Sequence, residues 1–417
     1  MAAADVLCRR RDRCRLCGGA SLEKVLSLTP VPLANAFVTR EELAAPQQRF
    51  PLDVWLCAGC GHAQLLDVVD PRALYEHYVY VSGTSPSFVK HFEQYADSVI
   101  GGFAPPAGSL VVEIGANDGT LLKFFRSRGY RVLGVDPARE IGEATRALGI
   151  PVITDFFTPK LAREIRAEHG AASVVVANNV LAHIDDLSSV VRGVAGLLEP
   201  SGVFAFEVQY LLDLTRDVLF DTIYHEHLDY HSVEPLIPFL SSHDLDLVEA
   251  LRVQTHGGSI RVVARPAAGR HPVGASVRVA VAQEQQAGLR RRETYDAIAT
   301  RIDAYGRELV QLLRDLKRQG KRIAGFGAPA KATTLMYHLG IEPGMIEFIV
   351  DDSPLKQGLF TPGMHIPVLP ASALYERRPD YVLVLAWNFA RAIIDKHRAF
   401  RETGARFIVP LPKLEIV

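Results

Sequence analysis

The stretch EIGANDGT at residues 113–120 decides how this chain folds. It ends the apolar run 109–114 and precedes a helix-prone segment that reaches Phe125. Because glycine adopts backbone angles that other residues avoid, its two glycines predict a tight turn between a buried strand and a helix. A second apolar run, 131–135, ends at Asp136 about twenty residues after the turn. This order of elements predicts an α/β unit that binds a ligand at the turn.

The chemistry of the ligand is indicated by a departure from the dinucleotide pattern. Ala116 and Asn117 stand where G-x-G-x-x-G would have its central positions, which argues against a pyrophosphate. An E-x-G-x-x-x-G turn suits S-adenosylmethionine, whose aminoacyl group lies over the turn while the acid ending the next strand grips the ribose hydroxyls. A turn that packs a helix and binds nothing is the alternative. The predicted cofactor-binding residues are Glu113, Gly115, Asn117, Gly119 and Asp136.

The strands that follow would complete the cofactor pocket. Apolar runs predict them at 152–153, 174–177, 203–207, 245–250 and 259–264. The last two would pair like a hairpin in a mostly parallel sheet. Asp155 and Phe156 follow the third strand and are predicted to bond to adenine and stack on it, and Asn178 after the fourth to meet the aminoacyl group. Such residues are common in loops, so only their positions carry this prediction.

The cysteines point to a metal at the other end of the chain. All 5 lie at or before residue 60, and four of them form two C-x-x-C knuckles: Cys14, Cys17, Cys57 and Cys60. Two such knuckles provide the four thiolates of a closed, structural zinc site, although the gap between them is longer than in common zinc ribbons. A redox pair or fortuitous cysteines are the alternatives, and no βαβ pattern surrounds either knuckle. Cys8 is left over as a bystander.

The densest polar constellation is YHEHLDYH at residues 224–231. It contains every group needed to move a proton, so acid–base chemistry is favoured over a metal site and over a structural polar cluster. A metal is disfavoured because His225 and His227 do not share one helix face as the histidines of H-E-x-x-H do. His183 after the fourth strand and Tyr78 before the first are further candidates at the same edge. A lone histidine such as His183 is equally often a satisfied packing residue.

A second glycine turn, GFGAPAK at residues 325–331, opens a C-terminal α/β unit. A charged, helix-periodic segment at 271–320 leads to it and predicts one long helix or a helix pair that ends at Gly320. The next strand ends in Asp351, so a dehydrogenase that binds NAD here is an alternative function. We favour a degenerate nucleotide fold that holds part of the substrate, with Lys331 as a candidate contact.

Composition excludes several partners. With 46 basic and 47 acidic residues and a formal net charge of -1, the chain has no global footprint for nucleic acid or an anionic membrane. A methyltransferase that acts on RNA or protein, with the zinc module docking that target, is therefore a weaker alternative to an enzyme that acts on a small molecule. The apolar runs are too short to span a bilayer, and no apolar stretch follows the basic residues near the N-terminus, so we expect a cytoplasmic protein.

With these motifs in hand, nearly the whole chain resembles the three-domain sugar C-methyltransferases of bacterial antibiotic and polysaccharide pathways. The resemblance rests on the two cysteine knuckles, the turn at 113–119, the block at 224–227, THGGS at 255–259 and GAPAK at 327–331. It implies a class I methyltransferase core with a Rossmann-like α/β fold, a small N-terminal zinc-binding domain and a C-terminal Rossmann-like α/β domain. The implied domain boundaries are 1–68, 69–266 and 267–417.

The resemblance also implies the reaction. Enzymes of this family transfer a methyl group from S-adenosylmethionine to a ring carbon, commonly C-3, of a nucleotide-linked (usually dTDP) 4-keto-deoxysugar, and the expected form is a monomer or homodimer. His227 would be the base and Glu226 would orient it, while Tyr224 would position the substrate or assist proton transfer. The keto-sugar pocket would be lined by His183 and Tyr78, and the other predicted substrate contacts are His225, His256 and Lys331.

Overall fold

The computed structural model describes residues 7–75, 81–84, 86–269 and 271–417. The chain divides into two compact units, each built from three segments. The first unit comprises Met1–Glu23, Trp55–Leu212 and Leu228–Arg290, and the second comprises Lys24–Val54, Asp213–His227 and Arg291–Val417. The division into three consecutive domains stays a prediction.

Residues 7–75, which contain the cysteines, form five strands and one α-helix. They are β1 Cys8–Arg10, β2 Leu22–Val31, β3 Phe50–Cys57, β4 Ala63–Leu65, β5 Asp67–Val69 and α1 Pro71–Tyr75.

The middle of the chain alternates strands and helices, as the sequence predicts. Its elements are α2 Pro86–Phe103, β6 Leu110–Ile114, α3 Thr120–Ser127, β7 Arg131–Val135, α4 Arg139–Ala147, β8 Val152–Ile153, α5 Pro159–His169, β9 Ala172–Asn178, α6 Leu187–Leu197, β10 Leu198–Gln209, α7 Leu211–Asp217, β11 Asp229–Tyr230, α8 Val233–Ser241, β12 Leu245–Val253 and β13 Ser259–Pro266.

The remaining elements are helix-rich at first and then alternate again. They are α9 Ala275–Ala287, α10 Arg292–Arg318, β14 Ile323–Phe326, α11 Ala330–Leu339, β15 Ile349–Val350, β16 Val368–Leu369, α12 Ala373–Arg377, β17 Tyr381–Val384, α13 Ala390–Lys396, α14 Arg398–Arg401, β18 Arg406–Val409 and β19 Glu415–Ile416.

The first unit is organised around a seven-stranded sheet of order β12-β13-β10-β9-β6-β7-β8. Strands β10, β9, β6, β7 and β8 run parallel, and β13 pairs antiparallel with both β10 and β12. Every residue of β6 is buried, because helices cover both faces of a parallel sheet and its strands therefore read as continuous apolar runs. This mixed sheet with an antiparallel final pair confirms the class I methyltransferase fold.

Local sequence signals set the ends of the helices. Thr158 caps α5 by accepting a hydrogen bond from the Leu161 backbone at 3.2 Å, and Pro159 follows at the first helical position. Helix α9 ends at Gly288, whose left-handed conformation closes the last turn, and α10 begins four residues later. The segment before the C-terminal α/β unit is therefore a helix pair. Among the described residues no helix is both long and apolar enough to cross a bilayer.

The second unit contains a six-stranded sheet of order β16-β15-β14-β17-β18-β19, parallel except for β19. Its core packs Phe326, Phe348, Phe400 and Phe407 among small aliphatic residues. Strands β16 and β19 have two residues each, too few for a periodic signal in the sequence. The segment after β17 forms two helices, α13 and α14, because the chain leaves helical geometry at His397.

Candidate active site and metal centre

The four knuckle cysteines converge on one point in the first unit. Their sulfurs all lie within 4.8 Å of one another, with Cys14 Sγ 3.6 Å from Cys60 Sγ and Cys17 Sγ 3.5 Å from Cys57 Sγ. A tetrahedral zinc ion with bonds of about 2.3 Å separates its sulfur ligands by about 3.8 Å. The cysteines are free thiols, so the donor set and the spacing both fit a structural zinc ion. Cys8 lies apart from this cluster in β1.

The turn at residues 113–119 approaches its neighbours closely. Gly115 has φ 71°, and a Cβ atom there would collide with the side chain of Val180. Gly119, with φ 68°, precedes the first turn of α3. Asn117 also adopts a left-handed conformation, with φ 48°. Only glycine fits at position 115. The turn therefore presents backbone groups to a ligand at the start of α3.

Asp136 holds this turn in place from the end of β7. Its carboxylate accepts hydrogen bonds from the backbone nitrogens of Asn117 and Ala138, both at 2.8 Å. Burial raises the pKa of Asp136, and these two hydrogen bonds oppose the rise. Each carboxylate oxygen accepts more than one hydrogen bond, so the group retains capacity for ribose hydroxyls.

Two buried polar atoms near the strand ends have no hydrogen-bond partner among the described residues. They are Oε2 of Glu113 and Nδ2 of Asn178, at the ends of β6 and β9. Burial and then the carboxylates of Asp118 and Asp136 raise the pKa of Glu113 well above its ordinary value. Buried polar groups are normally paired, so these atoms fit a bound group that is cationic and both accepts and donates hydrogen bonds, such as an aminoacyl moiety.

The residues proposed for adenine lie at the end of β8. Asp155 accepts a hydrogen bond from the Phe156 backbone at 2.7 Å, and the Phe156 side chain is exposed. The parallel arrangement places the ends of β6, β7, β8 and β9 along the same edge of the sheet. An exposed aromatic ring at that edge is available for stacking.

Of the predicted substrate-pocket residues in this part of the chain, His183 and His256 are described. The His183 ring stacks on Tyr75, with centroids 5.7 Å apart, and His256 lies in the turn between β12 and β13 with φ 52° and its ring 4.8 Å from Phe88. Tyr78 lies outside the described residues.

A buried network at the end of β10 escaped the sequence reasoning. Glu207 accepts hydrogen bonds from His91 at 2.7 Å, Thr255 at 2.9 Å and Arg261 at 3.0 Å. Burial acts to raise the pKa of Glu207, but His91 and Arg261 lower it further than burial raises it. The partners are distant in sequence, so spacing could not reveal them.

In the second unit, Tyr224 and His227 form a pair whose proton positions follow from their partners. His227 Nδ1 lies 2.7 Å from the Thr222 carbonyl, which only accepts, so Nδ1 carries the proton. Nε2 therefore accepts from the Tyr224 hydroxyl at 2.9 Å. Burial lowers the pKa of His227 to about 4. At neutral pH the imidazole is uncharged and its basic nitrogen faces a tyrosine hydroxyl.

His225 and Glu226, which lie between Tyr224 and His227 in the sequence, contact other residues of this unit. His225 bonds through Nε2 to the Pro51 carbonyl at 3.1 Å, and its ring packs edge-on against Phe50. Glu226 accepts a hydrogen bond from Asn35 Nδ2 at 2.7 Å. This geometry favours His227 over His225 as the base. Asn35 is a contact that the sequence did not indicate, because nothing in the loop containing it stood out.

Lys331 lies beside Trp387 at the start of α11. Its Nζ is 2.8 Å from Asn388 Oδ1 and 3.6 Å from the centre of the Trp387 ring. The indole in turn donates to the buried carboxylate of Asp221. Burial lowers the pKa of Lys331 to about 8, and the charge of Asp221 opposes that shift.

In the second glycine turn, at residues 325–331, side chains of the protein itself hydrogen-bond to the backbone. Asp351 accepts hydrogen bonds from the backbone nitrogens of Ala328 at 2.7 Å and Ser353 at 2.8 Å. Lys356 donates to the Ala328 carbonyl at 2.9 Å, and its ammonium lies 4.0 Å from Asp351. A side chain of the protein thus neutralises the acid that would hold a ribose in a dehydrogenase.

Comparison with known proteins assigns the family. Three family models match the chain: a zinc binding domain at residues 14–75, a methyltransferase domain at 88–250 and a C-methyltransferase C-terminal domain at 254–412. The C-methyltransferase NovU of Streptomyces niveus is 38% identical over 406 residues, which are 97% of this chain and 97% of that protein.

Two further similarities cover only part of the chain. A ubiquinone biosynthesis O-methyltransferase of Methylobacterium sp. (strain 4-46) is 32% identical over 24% of this chain and 41% of its own length. The structure of the CcbJ methyltransferase from Streptomyces caelestis aligns with 46% of this chain and 96% of its own at 17% identity and a TM-score of 0.36. The full-length match and the three family models show that the chain belongs to the C-methyltransferase family with an N-terminal zinc-binding domain and is an S-adenosylmethionine-dependent C-methyltransferase.

Proposed function

We propose that this enzyme methylates a ring carbon, C-3, of a dTDP-linked 4-keto-deoxysugar. The observation that carries the proposal is the hydrogen-bonded pair of Tyr224 and buried His227, in which an uncharged imidazole accepts from a tyrosine hydroxyl. A carbon next to a ketone loses its proton to such a base, because the electron pair left behind is delocalised as an enolate. When bound, S-adenosylmethionine supplies the electrophilic methyl group.

The protein's own residues account for the proton. The C-3 proton passes to Nε2 of His227, directly or through the Tyr224 hydroxyl, and the Thr222 carbonyl stabilises the resulting imidazolium through Nδ1. The electron pair of the broken C-H bond then forms the new carbon–carbon bond, and the ketone is restored. Asn35 holds the Glu226 carboxylate, which we propose orients the base. Lys331, His225, His256 and His183 remain the proposed substrate contacts.

The experiment is hydrogen exchange at the sugar. In D2O, the wild-type enzyme should exchange the C-3 hydrogen of the dTDP-4-keto-deoxysugar for deuterium. Mass spectrometry of the sugar measures the rate of this exchange. We expect His227→Asn to slow this exchange by about 10²- to 10⁴-fold, the usual contribution of a general base, without changing the dissociation constant of S-adenosylmethionine. His169→Asn, at the end of α5, is the control and should exchange normally.

The pH profile sharpens the test. Because the pKa of His227 is about 4, exchange should be flat from pH 7 to about pH 5 and should fall only as the imidazole protonates below that. Normal exchange by His227→Asn would contradict the assignment of the base. Efficient methylation of another carbon acid, without methylation of the dTDP-linked sugar, would contradict the proposed substrate.

We further propose three domains at 1–68, 69–266 and 267–417, supported by the order of the three family matches. We propose that the enzyme acts in the cytoplasm on a small nucleotide-linked molecule, without nucleic acid or membrane, as a monomer or homodimer. The balanced charge of the chain supports this choice of substrate over RNA.

A further inference from the structure

Inside the first cysteine knuckle lies an arginine whose side chain is fully buried. Arg15 stands between Cys14 and Cys17, and its guanidinium has no exposed surface. Its Nη1 donates to the Leu65 carbonyl at 2.5 Å and its Nε to Asp185 Oδ1 at 3.0 Å. A buried charge is costly unless it is paired, so this arginine is held by specific partners.

The same guanidinium faces a second buried acid. Arg15 Nε lies 3.8 Å from Asp229 Oδ2, and the other oxygen of Asp229 lies 2.6 Å from Nε2 of His62. His62 follows Cys60 by two residues, and neither His62 nor Asp229 has an exposed side chain. Each knuckle therefore contributes one side chain that engages Asp229.

These acids stand next to the residues of the proposed chemistry. Asp185 follows His183 by two residues, and Asp229 follows His227 by two residues. The backbone ties the two segments together, since Leu228 N donates to the Ala182 carbonyl at 2.7 Å. The Leu228 carbonyl accepts from Leu65 N at 2.8 Å, within the pairing of β11 with β4.

We infer that the zinc knuckles position the two histidine-bearing segments of the enzyme, with Arg15 and His62 as positioning residues. The inference rests on the proposed function, because that function assigns the roles of His183 and His227. Zinc would fix the backbone of both knuckles. His62, two residues after the second knuckle, is hydrogen-bonded to Asp229, and the Arg15 guanidinium of the first knuckle lies 3.8 Å from the same carboxylate. Loosening the knuckles releases the start of β11 and with it the chain that leads to His227.

The test compares two arginines of one knuckle. Arg15→Met removes the buried guanidinium with little change in length, whereas Arg13→Met is the control, because Arg13 is exposed and donates to the Gly18 carbonyl. For each variant we would measure zinc content, the dissociation constant of S-adenosylmethionine, amide hydrogen exchange of peptides covering 181–185 and 227–231, and kcat and KM for sugar exchange.

We expect Arg15→Met to keep its zinc and bind S-adenosylmethionine within about threefold of wild type. Its amides at 228–231 should exchange at least tenfold faster, and kcat should fall at least tenfold with a smaller change in KM. Arg15→Lys should restore part of both effects, and chelating zinc from the wild type should produce the same exchange pattern. Unchanged protection at 228–231 in Arg15→Met would overturn the inference.

A second variant guards against misfolding. Asp185→Asn removes a partner that is partly exposed, so it should fold and should raise amide exchange at 181–185 first. Normal protection there would also overturn the inference. If wild-type enzyme exchanges no sugar hydrogen but the amide pattern responds as expected, the proposed function fails and the positioning stands. If sugar exchange occurs and the amides do not respond, the reverse holds.

Discussion

The two glycine turns of this chain begin alike and differ in what surrounds them. Gly115 and Gly327 both follow a buried parallel strand, both have positive φ, and a Cβ at either would collide with a neighbour. In both, the acid at the end of the next strand accepts hydrogen bonds from the turn: Asp136 in the first unit and Asp351 in the second. Geometry of the backbone alone does not separate them.

Charge and pairing do separate them. Around the first turn the carboxylates of Asp118 and Asp136 add to burial in raising the pKa of Glu113, and an oxygen of Glu113 has no hydrogen-bond partner among the described residues. At the second turn the ammonium of Lys356 already occupies the place beside Asp351. The comparison teaches that a glycine pattern marks close backbone approach, whereas unpaired polar atoms and uncompensated charge mark a ligand site.

The largest expected effect tests the two acids against each other. Asp136→Ala should weaken S-adenosylmethionine binding about 100-fold, because it removes charge-assisted bonds to the ligand and to the turn. Asp351→Ala should leave the affinity within twofold. Titration calorimetry measures both.

The opposite result would reverse the comparison. If Asp351→Ala abolished binding and Asp136→Ala did not, the second turn would be the cofactor site. Calorimetric binding of NAD to the wild type at micromolar concentration, sensitive to Asp351→Ala, would revive the dehydrogenase reading.

A smaller effect on S-adenosylmethionine affinity is expected from replacing Glu113, whose Oε2 has no hydrogen-bond partner among the described residues. Glu113→Gln keeps the shape of the side chain but cannot ionise, whereas a cationic ligand would favour the ionised form of Glu113, so S-adenosylmethionine affinity should fall about tenfold. Lys356→Met, the matched change at the second turn, should not alter that affinity. Equal affinity in Glu113→Gln and wild type would show that the carboxylate does not face the ligand.

A feature of this structure could be predicted from the sequence when the residues that form it lie close together in the chain, and could not when they lie far apart. Strands β6, β7 and β9 were predictable because their residues are mostly apolar, and the zinc site because four ligands lie in two local motifs. Strand β11, Asp229–Tyr230, is too short to give such a signal and was not predicted. The contact of Asn35 with Glu226 spans 191 residues and has no periodic signature. Long-range polar pairs of this kind are fixed by packing, which no local pattern records.

The block at residues 224–227 shows the same limit within four residues. His225 and His227 are equivalent as sequence, and only the structure shows that one bonds to Pro51 and the other to Tyr224. Arg15 likewise reads as one basic residue among several near the N-terminus, although it alone of Arg11, Arg13 and Arg15 is fully buried. Burial of a charged side chain depends on distant carboxylates that the neighbouring residues do not reveal.

The smallest expected effect is on stability and has opposite signs at the two turns. The pKa of Glu113 is raised, so the folded state binds an extra proton above the ordinary pKa and the wild type loses stability as pH rises. Burial lowers the pKa of Lys356, so the wild type gains stability as pH rises toward the ordinary lysine pKa. Relative to wild type, Glu113→Gln should become more stable with rising pH and Lys356→Met less stable. Urea denaturation between pH 5 and pH 10 measures both slopes, and parallel slopes would contradict the prediction.

The interleaving of the two units has a consequence for biosynthesis. Each unit is assembled from three segments, so the nascent chain completes neither until late, and Lys24–Val54 must wait for the segment that begins at Arg291. At ribosomal speeds of about 5–20 residues per second, that interval lasts roughly 10 to 50 seconds. During that interval, the part of β2 from Lys24 to Val31 lacks most of the unit to which it belongs. Truncation at Arg290 would leave Lys24–Val54 without the rest of its unit, so shortened forms of this enzyme should depend on chaperones more than the full chain does.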